Sequence, residues 1–219
     1  MPHFPFYDDP PYRLSGVVYG ALLNPRSVLE QIGAAAHEPP YKAPPKGPVL
    51  YMKPRNTLAE SGSQVDIPEQ EESLRIGATV GLVIGRTACR VAPEHALDYL
   101  SGVMLVTDLT VPHETFYRPS VRFVARDGSC FLGTRIASGV DPDAVSIDVS
   151  IDGGAATQIT MSDMVRPAAR LLADVTDFMT LSAGDVLLLG TRIDGPLLRR
   201  GQRFMVSAEG LGQLEGHAR

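Results

Sequence analysis

The segment Ser73-Leu74-Arg75-Ile76-Gly77-Ala78-Thr79-Val80-Gly81-Leu82-Val83-Ile84-Gly85 gives the strongest indication of the fold. Its continuous apolar run at residues 80–84 predicts a strand that is buried on both faces. Alternate side chains of an extended strand share a face, so residues 77 and 79 point to the same side of the sheet. The residue types at these two positions therefore decide what kind of site the strand can support.

The rest of the chain predicts a mainly β protein with a few helices, of the α+β class. Further strands are expected at residues 17–23, 49–53, 145–151 and 204–206, with a hairpin turn at Asp152-Gly153-Gly154. Helices are expected at residues 27–36, 93–100 and 160–179. Pro167 should kink or divide the last helix, and Thr160 with Asp163 forms a potential capping box at its start.

Composition indicates one domain without a nucleic-acid or membrane partner. The 219 residues carry a net charge of −5 and no basic cluster, and no apolar run approaches the ~18 residues of a membrane span. The first residues lack the features of a signal peptide, and Cys89 and Cys130 match no metal-binding spacing. We therefore expect a cytoplasmic protein with free thiols, in which residues 1–14 form an arm and residues 15–219 the domain.

Several motifs in order resemble those of the fumarylacetoacetate hydrolase family, and they extend from about residue 17 to residue 212. They are Lys53-Pro54-Arg55-Asn56-Thr57, Val83-Ile84-Gly85, Ala96-Leu97-Asp98-Tyr99-Leu100-Ser101-Gly102 followed by Thr107-Asp108, the segment 181–191, and Glu209-Gly210-Leu211-Gly212. The resemblance implies the mixed β-sheet roll of the family's C-terminal domain.

The same resemblance implies a Mg²⁺ or Mn²⁺ site that this chain keeps only in part. The family holds the metal with a Glu-x-Glu pair and an aspartate, because hard divalent cations prefer carboxylate oxygens. Asp108 matches the aspartate, but Gly77 and Thr79 stand where the two glutamates would be. We therefore expect this chain to bind no metal firmly by itself, with Mg²⁺ or Mn²⁺ held by a partner subunit.

The family's proton-transfer groups are also replaced. Its catalytic histidine and glutamate fall on Val28 and Gln31, and a later lysine falls on Val124. A valine side chain carries no titratable proton, so general acid–base catalysis from residue 28 is excluded.

Five other residues remain as candidates for the site. Lys53 and His113 are catalytic candidates, although Lys53 could instead reach solvent and His113 could be a solvated loop histidine. Tyr117 and Arg118 occupy the family position for substrate carboxylates, with a surface salt bridge as the alternative for Arg118. Thr191, in the segment 181–191, is a further candidate for substrate binding, as is Lys53.

Within the family, the resemblance is to the N-terminal half of the bifunctional isomerase/decarboxylases of 4-hydroxyphenylacetate (homoprotocatechuate) catabolism. It rests on Pro40-Tyr41-Lys42-Ala43-Pro44-Pro45-Lys46, on the Lys53 motif, on Phe116-Tyr117-Arg118-Pro119 and on Arg126-Asp127-Gly128. That half has the same gaps, while the other half carries the full metal set. A single copy therefore looks like a separately encoded N-terminal subunit.

The resemblance implies a role in decarboxylating 5-oxopent-3-ene-1,2,5-tricarboxylate and isomerising the resulting 2-hydroxyhepta-2,4-diene-1,7-dioate. We expect a homodimer, or a hetero-oligomer with a metal-bearing paralogous subunit. One alternative is a self-sufficient, metal-independent enol/keto isomerase that uses Asp108, Lys53 and Arg118. The other is a scaffold subunit without catalytic activity.

Overall fold

The computed structural model describes residues 16–113, 116 and 120–219. This part of the chain contains thirteen strands: β1 (Val18–Leu22), β2 (Val49–Lys53), β3 (Leu58–Ala59), β4 (Gln64–Val65), β5 (Ser73–Ile84), β6 (Leu100–Thr110), β7 (Cys130–Leu132), β8 (Ser146–Ile151), β9 (Thr157–Thr160), β10 (Val186–Leu188), β11 (Leu197–Arg199), β12 (Arg203–Ala208) and β13 (Gly212–Ala218). Its helices are α1 (Arg26–Ile32), α2 (Val121–Val124) and α3 (Ala168–Phe178), with 3₁₀ turns at Gly33–His37, Arg55–Thr57, Pro93–Tyr99 and Met161–Asp163.

The strands form two mixed sheets. The larger sheet has the order β2-β1-β10-β5-β6-β7-β3, and β11 pairs with one end of β5. The smaller sheet has the order β4-β13-β12-β8-β9. Parallel pairs join β1 to β10, β3 to β7 and β4 to β13, while the other pairs are antiparallel. The predicted mainly β, mixed-sheet fold is therefore confirmed.

Strand β5 separates two apolar cores because its alternate side chains point in opposite directions. Ile76, Ala78, Val80 and Leu82 pack in the larger core, which also includes residues of the smaller sheet and of α3. Val83 packs in a smaller core with side chains from β1, β6, β7 and β10. The larger sheet curls around this smaller core, and the face that lines it also carries the candidate site.

The predicted helices are shorter than expected. Residues 27–36 divide at Gly33, whose φ of 52° ends α1, and a 3₁₀ turn follows. The helix predicted at 160–179 is α-helical only over Ala168–Phe178, and Pro167 is its N-cap residue. Only part of the predicted capping box forms. Thr160 caps the 3₁₀ turn Met161–Asp163, since its hydroxyl accepts a hydrogen bond from the Ser162 N–H. The Asp163 carboxylate instead accepts hydrogen bonds from the backbone N–H and the hydroxyl of Ser27. The segment predicted as a helix at 93–100 is a 3₁₀ turn.

The strand predictions were better but incomplete. The hairpin between β8 and β9 was predicted correctly, whereas β5 begins at Ser73 and not at residue 80. Strand β13 was missed because its sequence is rich in glycine and polar residues. A Cβ atom on Gly216 would lie 2.7 Å from the rings of both Phe131 and Phe204, so the glycine makes room for these rings. Within the described ranges, no helix is long and apolar enough to cross a membrane.

Candidate functional site

The register of β5 and β6 brings together the three positions that the sequence comparison links to a metal. Gly77 lies directly opposite Asp108, and Thr79 lies opposite Val106. Directly opposed residues of an antiparallel pair share a face, so Gly77, Thr79 and Asp108 all point into the curl of the larger sheet. The strand alignment thus places all three positions on one surface.

The space beside residues 77 and 79 is occupied by atoms of neighbouring residues. A Cβ atom on Gly77 would lie 2.7 Å from Cγ2 of Thr191 and 2.8 Å from the backbone oxygen of Asp108. The hydroxyl of Thr79 lies 3.9 Å from the sulfur of Met161. A larger side chain at residue 77 would therefore require movement of the backbone as well as of Thr191.

Asp108 is neutralised by a cation from the chain itself. The Lys53 Nζ atom lies 2.6 Å from Asp108 Oδ1, and both side chains are fully buried. The Lys53 ammonium also donates hydrogen bonds to the backbone carbonyl of Val124 and to Ser129 Oγ, the latter at 3.0 Å. Because β2 and β6 are separated by three strands in the sheet order, this ion pair spans the inside of the curl.

Tyr51 covers the second oxygen of this carboxylate. Its hydroxyl donates a hydrogen bond to Asp108 Oδ2. Burial raises the pKa of Tyr51 well above its ordinary value, and the negative charge of Asp108 raises it further, so the phenol keeps its proton. Burial likewise raises the pKa of the nearby Cys130 thiol to about 12. The pair is thus enclosed by groups that stay neutral at neutral pH.

The residues present do not fit a Mg²⁺ or Mn²⁺ site of the family type. Gly77 contributes no side-chain donor and Thr79 contributes one neutral hydroxyl, while Lys53 and Tyr51 already contact the two oxygens of Asp108. Among the residues that the structure describes, no cluster of three or more histidine, cysteine, aspartate or glutamate side chains could hold a metal ion. One carboxylate beside a buried ammonium is a poor donor set for a hard divalent cation.

A small pocket lies above this buried pair. Tyr51 forms part of its wall, together with Val28, Thr191 and His113. Its cavity volume is about 30 Å³, which is room for roughly two water molecules or a group the size of a carboxylate. Val28, which the family resemblance aligns with a histidine, lines the pocket with an apolar side chain.

Two residues that line the pocket each carry a buried nitrogen without a hydrogen-bond partner in the described part of the chain. These nitrogens are His113 Nε2 and Arg75 Nε. Burial lowers the pKa of Arg75, although Asp194 opposes that shift. The neighbouring Arg192 differs, because its guanidinium contacts the Asp194 carboxylate through two nitrogens at 2.8 Å and 2.5 Å. Arg75 and His113 therefore each keep a buried nitrogen with unused hydrogen-bonding capacity.

The predicted site residues fall into three groups. Thr191 and His113 line the pocket, so their predicted roles stay open. Lys53 lies beneath the pocket, and the alternative that its amine reaches solvent is wrong because the side chain is buried. Tyr117 and Arg118 lie outside the described residues.

Sequence reasoning did not single out Tyr51 or Arg75. The spacing of both residues could have identified them, since Arg75 lies two residues before Gly77 on β5 and Tyr51 lies two residues before Lys53 on β2. Residues with this spacing share a face of their strand.

A family model described as fumarylacetoacetate (FAA) hydrolase C-terminal matches residues 17–219. The chain belongs to the fumarylacetoacetate hydrolase family. A curated relative in this family is the 4-hydroxyphenylacetate degradation bifunctional isomerase/decarboxylase of Salmonella dublin, which is 41% identical over 202 residues. The match covers 92% of this chain and 47% of the relative, so the chain spans about half the length of that enzyme. The family and the resemblance to this bifunctional isomerase/decarboxylase are thereby confirmed.

Solved structures confirm the family fold. The 5-carboxymethyl-2-hydroxymuconate delta-isomerase from Mycobacterium smegmatis matches with a TM-score of 0.77 and 22% identity, covering 94% of this chain and 79% of that one. A fumarylpyruvate hydrolase from Pseudomonas aeruginosa in complex with Mn²⁺ and pyruvate matches with a TM-score of 0.74 and 21% identity, covering 93% and 89%. At this identity the matches show the fold alone, and the second shows that the fold includes a Mn²⁺-binding protein.

Proposed function

We propose that this chain is a domain or subunit of the decarboxylase/isomerase system of 4-hydroxyphenylacetate catabolism. The system would decarboxylate 5-oxopent-3-ene-1,2,5-tricarboxylate and isomerise 2-hydroxyhepta-2,4-diene-1,7-dioate. The observation that carries this proposal is the 41% identity to one half of such a bifunctional enzyme, maintained over 92% of this chain.

The proposal assigns decarboxylation to a metal-bearing paralogous domain or subunit. Loss of CO₂ leaves electrons that an enolate must accept, and a divalent cation commonly stabilises that charge. In this chain the matching carboxylate, Asp108, is instead engaged by Lys53 and Tyr51. Isomerisation needs only proton transfer, so it is the step that the pocket of this chain can support.

Assembly with such a paralogue, or with a second copy of this chain, is part of the proposal. Met52 supports it, because this methionine is 58% exposed on the edge strand β2 of the larger sheet. An exposed apolar side chain at a sheet edge is suited to contact with another chain. Light scattering at micromolar concentration should show a dimer or a larger assembly, and a strictly monomeric species in the presence of the paralogue would contradict this part.

The decisive experiment measures turnover of both substrates by the purified chain, by a family paralogue that carries the Glu-x-Glu set, and by the two together. We expect decarboxylation only when the paralogue and Mg²⁺ or Mn²⁺ are present. We also expect complete conversion to the isomerised product to be faster in the mixture than with the paralogue alone. A mixture that converts neither substrate would refute the proposed function, and a chain that forms the complex without changing any rate would be a scaffold.

A further inference from the structure

Three oxygen atoms from separate parts of the chain surround the ammonium group of Lys53. Asp108 Oδ1 lies 2.6 Å from Nζ, Ser129 Oγ lies 3.0 Å from it, and the backbone carbonyl of Val124 accepts a further hydrogen bond. The side chains of Lys53 and Asp108 are fully buried, and Ser129 is buried beside them. Carboxylate, carbonyl and hydroxyl oxygens are also the ligands from which proteins build sites for hard cations. We call these three atoms the oxygen cage.

Elements other than β2 hold the cage oxygens in place. Asp108 lies on β6 beside β7, which begins directly after Ser129. The Ser129 hydroxyl donates its hydrogen to the Arg126 carbonyl at 2.7 Å, so its lone pairs are left for the ammonium. Val124 is the last residue of α2, and the carbonyls of a final helical turn have no partner within the helix. The oxygen cage is therefore built by β6, β7 and α2, and β2 contributes the cation.

The contact between Lys53 and Asp108 is one of charge and not of hydrogen bonding. Asp108 Oδ1 is buried without a hydrogen-bond partner among the described residues, although Nζ lies 2.6 Å away. The ammonium donates its hydrogen bonds to Val124 and Ser129 instead. At Asp108 the ammonium thus acts through its charge, as a bound metal ion does.

The charges of this buried cluster balance when the ammonium is in place. Asp108 contributes one negative charge and Lys53 one positive charge, while a neutral hydroxyl from Tyr51 covers Oδ2. A divalent cation in place of the ammonium would leave one positive charge in excess, because residues 77 and 79 provide no carboxylate. An uncompensated buried charge is costly. A single carboxylate therefore matches a monovalent cation.

We propose that the oxygen cage is a cation site, and that the chain fills it permanently with the Lys53 ammonium in place of a free ion. This tethered cation neutralises Asp108 and joins β2 to β6 and α2 across the curl of the larger sheet. The folded domain is therefore independent of free metal ions, whatever reaction it supports. Removal of the tether opens the oxygen cage to a cation from solution.

The test follows thermal unfolding by circular dichroism in EDTA and with added Ca²⁺ or Mn²⁺. The wild-type Tm should be the same in all three conditions, because the ammonium already fills the oxygen cage. Lys53→Glu exchanges this cation for a second carboxylate, and the shorter glutamate side chain leaves room for an ion beside Asp108. We expect this variant to be strongly destabilised in EDTA. Its Tm should rise by about 5–10 °C once the divalent ion exceeds its Kd about 100-fold.

Three controls show where the ion binds. Lys53→Gln has the shape of Lys53→Glu without its charge, and its Tm should not respond to divalent ions. Lys46→Glu places a carboxylate at an exposed position and reports general binding of ions to an acidic surface. In the Lys53→Glu background, Ser129→Ala removes one cage oxygen and should weaken divalent affinity by about 10-fold or more.

A second variant tests the oxygen cage with a monovalent cation. Lys53→Ala deletes a fragment of the size of n-propylammonium, so this ion should raise the Tm of the variant as its concentration increases. 1-Propanol, which has a similar shape and no charge, should not raise it, and NaCl at the same ionic strength should have a smaller effect.

Stabilisation of the wild type by Ca²⁺ or Mn²⁺ would overturn the proposal, because it would show that the ammonium does not fill the site. The same holds if Lys53→Glu responds to divalent ions no more than Lys53→Gln does, or if n-propylammonium fails to stabilise Lys53→Ala. A variant that is unfolded alone and gains the native spectrum when its cation is added supports the proposal. One that stays unfolded at saturating cation contradicts it.

Discussion

Replacing Lys53 with methionine should destabilise this protein strongly. The substitution keeps the length of the side chain and removes the ammonium that lies 2.6 Å from Asp108 Oδ1. It leaves the carboxylate buried with the Tyr51 hydroxyl as its remaining partner among the described residues, and it removes a donor from the Val124 carbonyl and from Ser129. Removing one partner of a buried ion pair, so that the other charge stays buried and unpaired, costs about 3–5 kcal/mol in other proteins.

That cost is a large fraction of the stability of a domain, which is typically about 5–15 kcal/mol. Asp108→Asn should cost a similar amount, because it leaves the ammonium buried beside a neutral amide. The double variant Lys53→Met with Asp108→Asn removes both charges and keeps an oxygen that can accept from Tyr51. We expect it to be more stable than either single variant, with a coupling free energy of at least about 2 kcal/mol.

Urea denaturation followed by circular dichroism measures these free energies of unfolding, since the chain contains no tryptophan. Lys42→Met is a suitable control because it removes an exposed lysine. A cost below about 1 kcal/mol for Lys53→Met, or simple addition of the effects of the two single substitutions, would contradict this expectation.

Three other substitutions test separate features. Gly77→Ala should lower the free energy of unfolding by about 1–3 kcal/mol in urea denaturation, because its Cβ atom would lie 2.8 Å from the Asp108 backbone oxygen. Adding Thr191→Ser should recover only part of that loss, since it removes the Thr191 Cγ2 atom and leaves the contact with the backbone oxygen. Burial raises the pKa of the Cys130 thiol to about 12, so the thiol keeps its proton in the folded state at a pH where it ionises in the unfolded state. Its contribution to stability is therefore present below about pH 9 and is lost as the pH rises toward 12. Between pH 8.5 and 10.5 the free energy of unfolding of the wild type should therefore fall about 2 kcal/mol more than that of Cys130→Ala, and equal slopes would contradict this. Asp185→Asn should lower the free energy of unfolding by about 1–3 kcal/mol in thermal denaturation. Its two carboxylate oxygens accept hydrogen bonds from the N–H groups of Val17 and Ser182 at 2.7 Å and 2.8 Å, and an amide has one oxygen for the two donors. Asp148→Asn, which changes an exposed aspartate, is the control.

Local sequence patterns determined much of the fold because they act over a few residues. The apolar run of β5 and the alternation of β8 identified strands, since burial on one or both faces leaves a direct pattern. The motifs identified the family. Pro167 was predicted to kink or divide a helix at 160–179, and it divides this segment, since proline disrupts a helix interior and α3 begins directly after it.

The tertiary structure decided what the site contains, because its groups come from distant parts of the chain. Nothing local to Lys53 or Asp108 shows that they meet, since only the curl of the larger sheet brings β2 across to β6. The same holds for Arg75 on β5 and His113 in the loop after β6, which line one pocket although they lie far apart in the sequence. Sequence patterns report the face of a strand, whereas contact between faces depends on the curvature of the whole sheet.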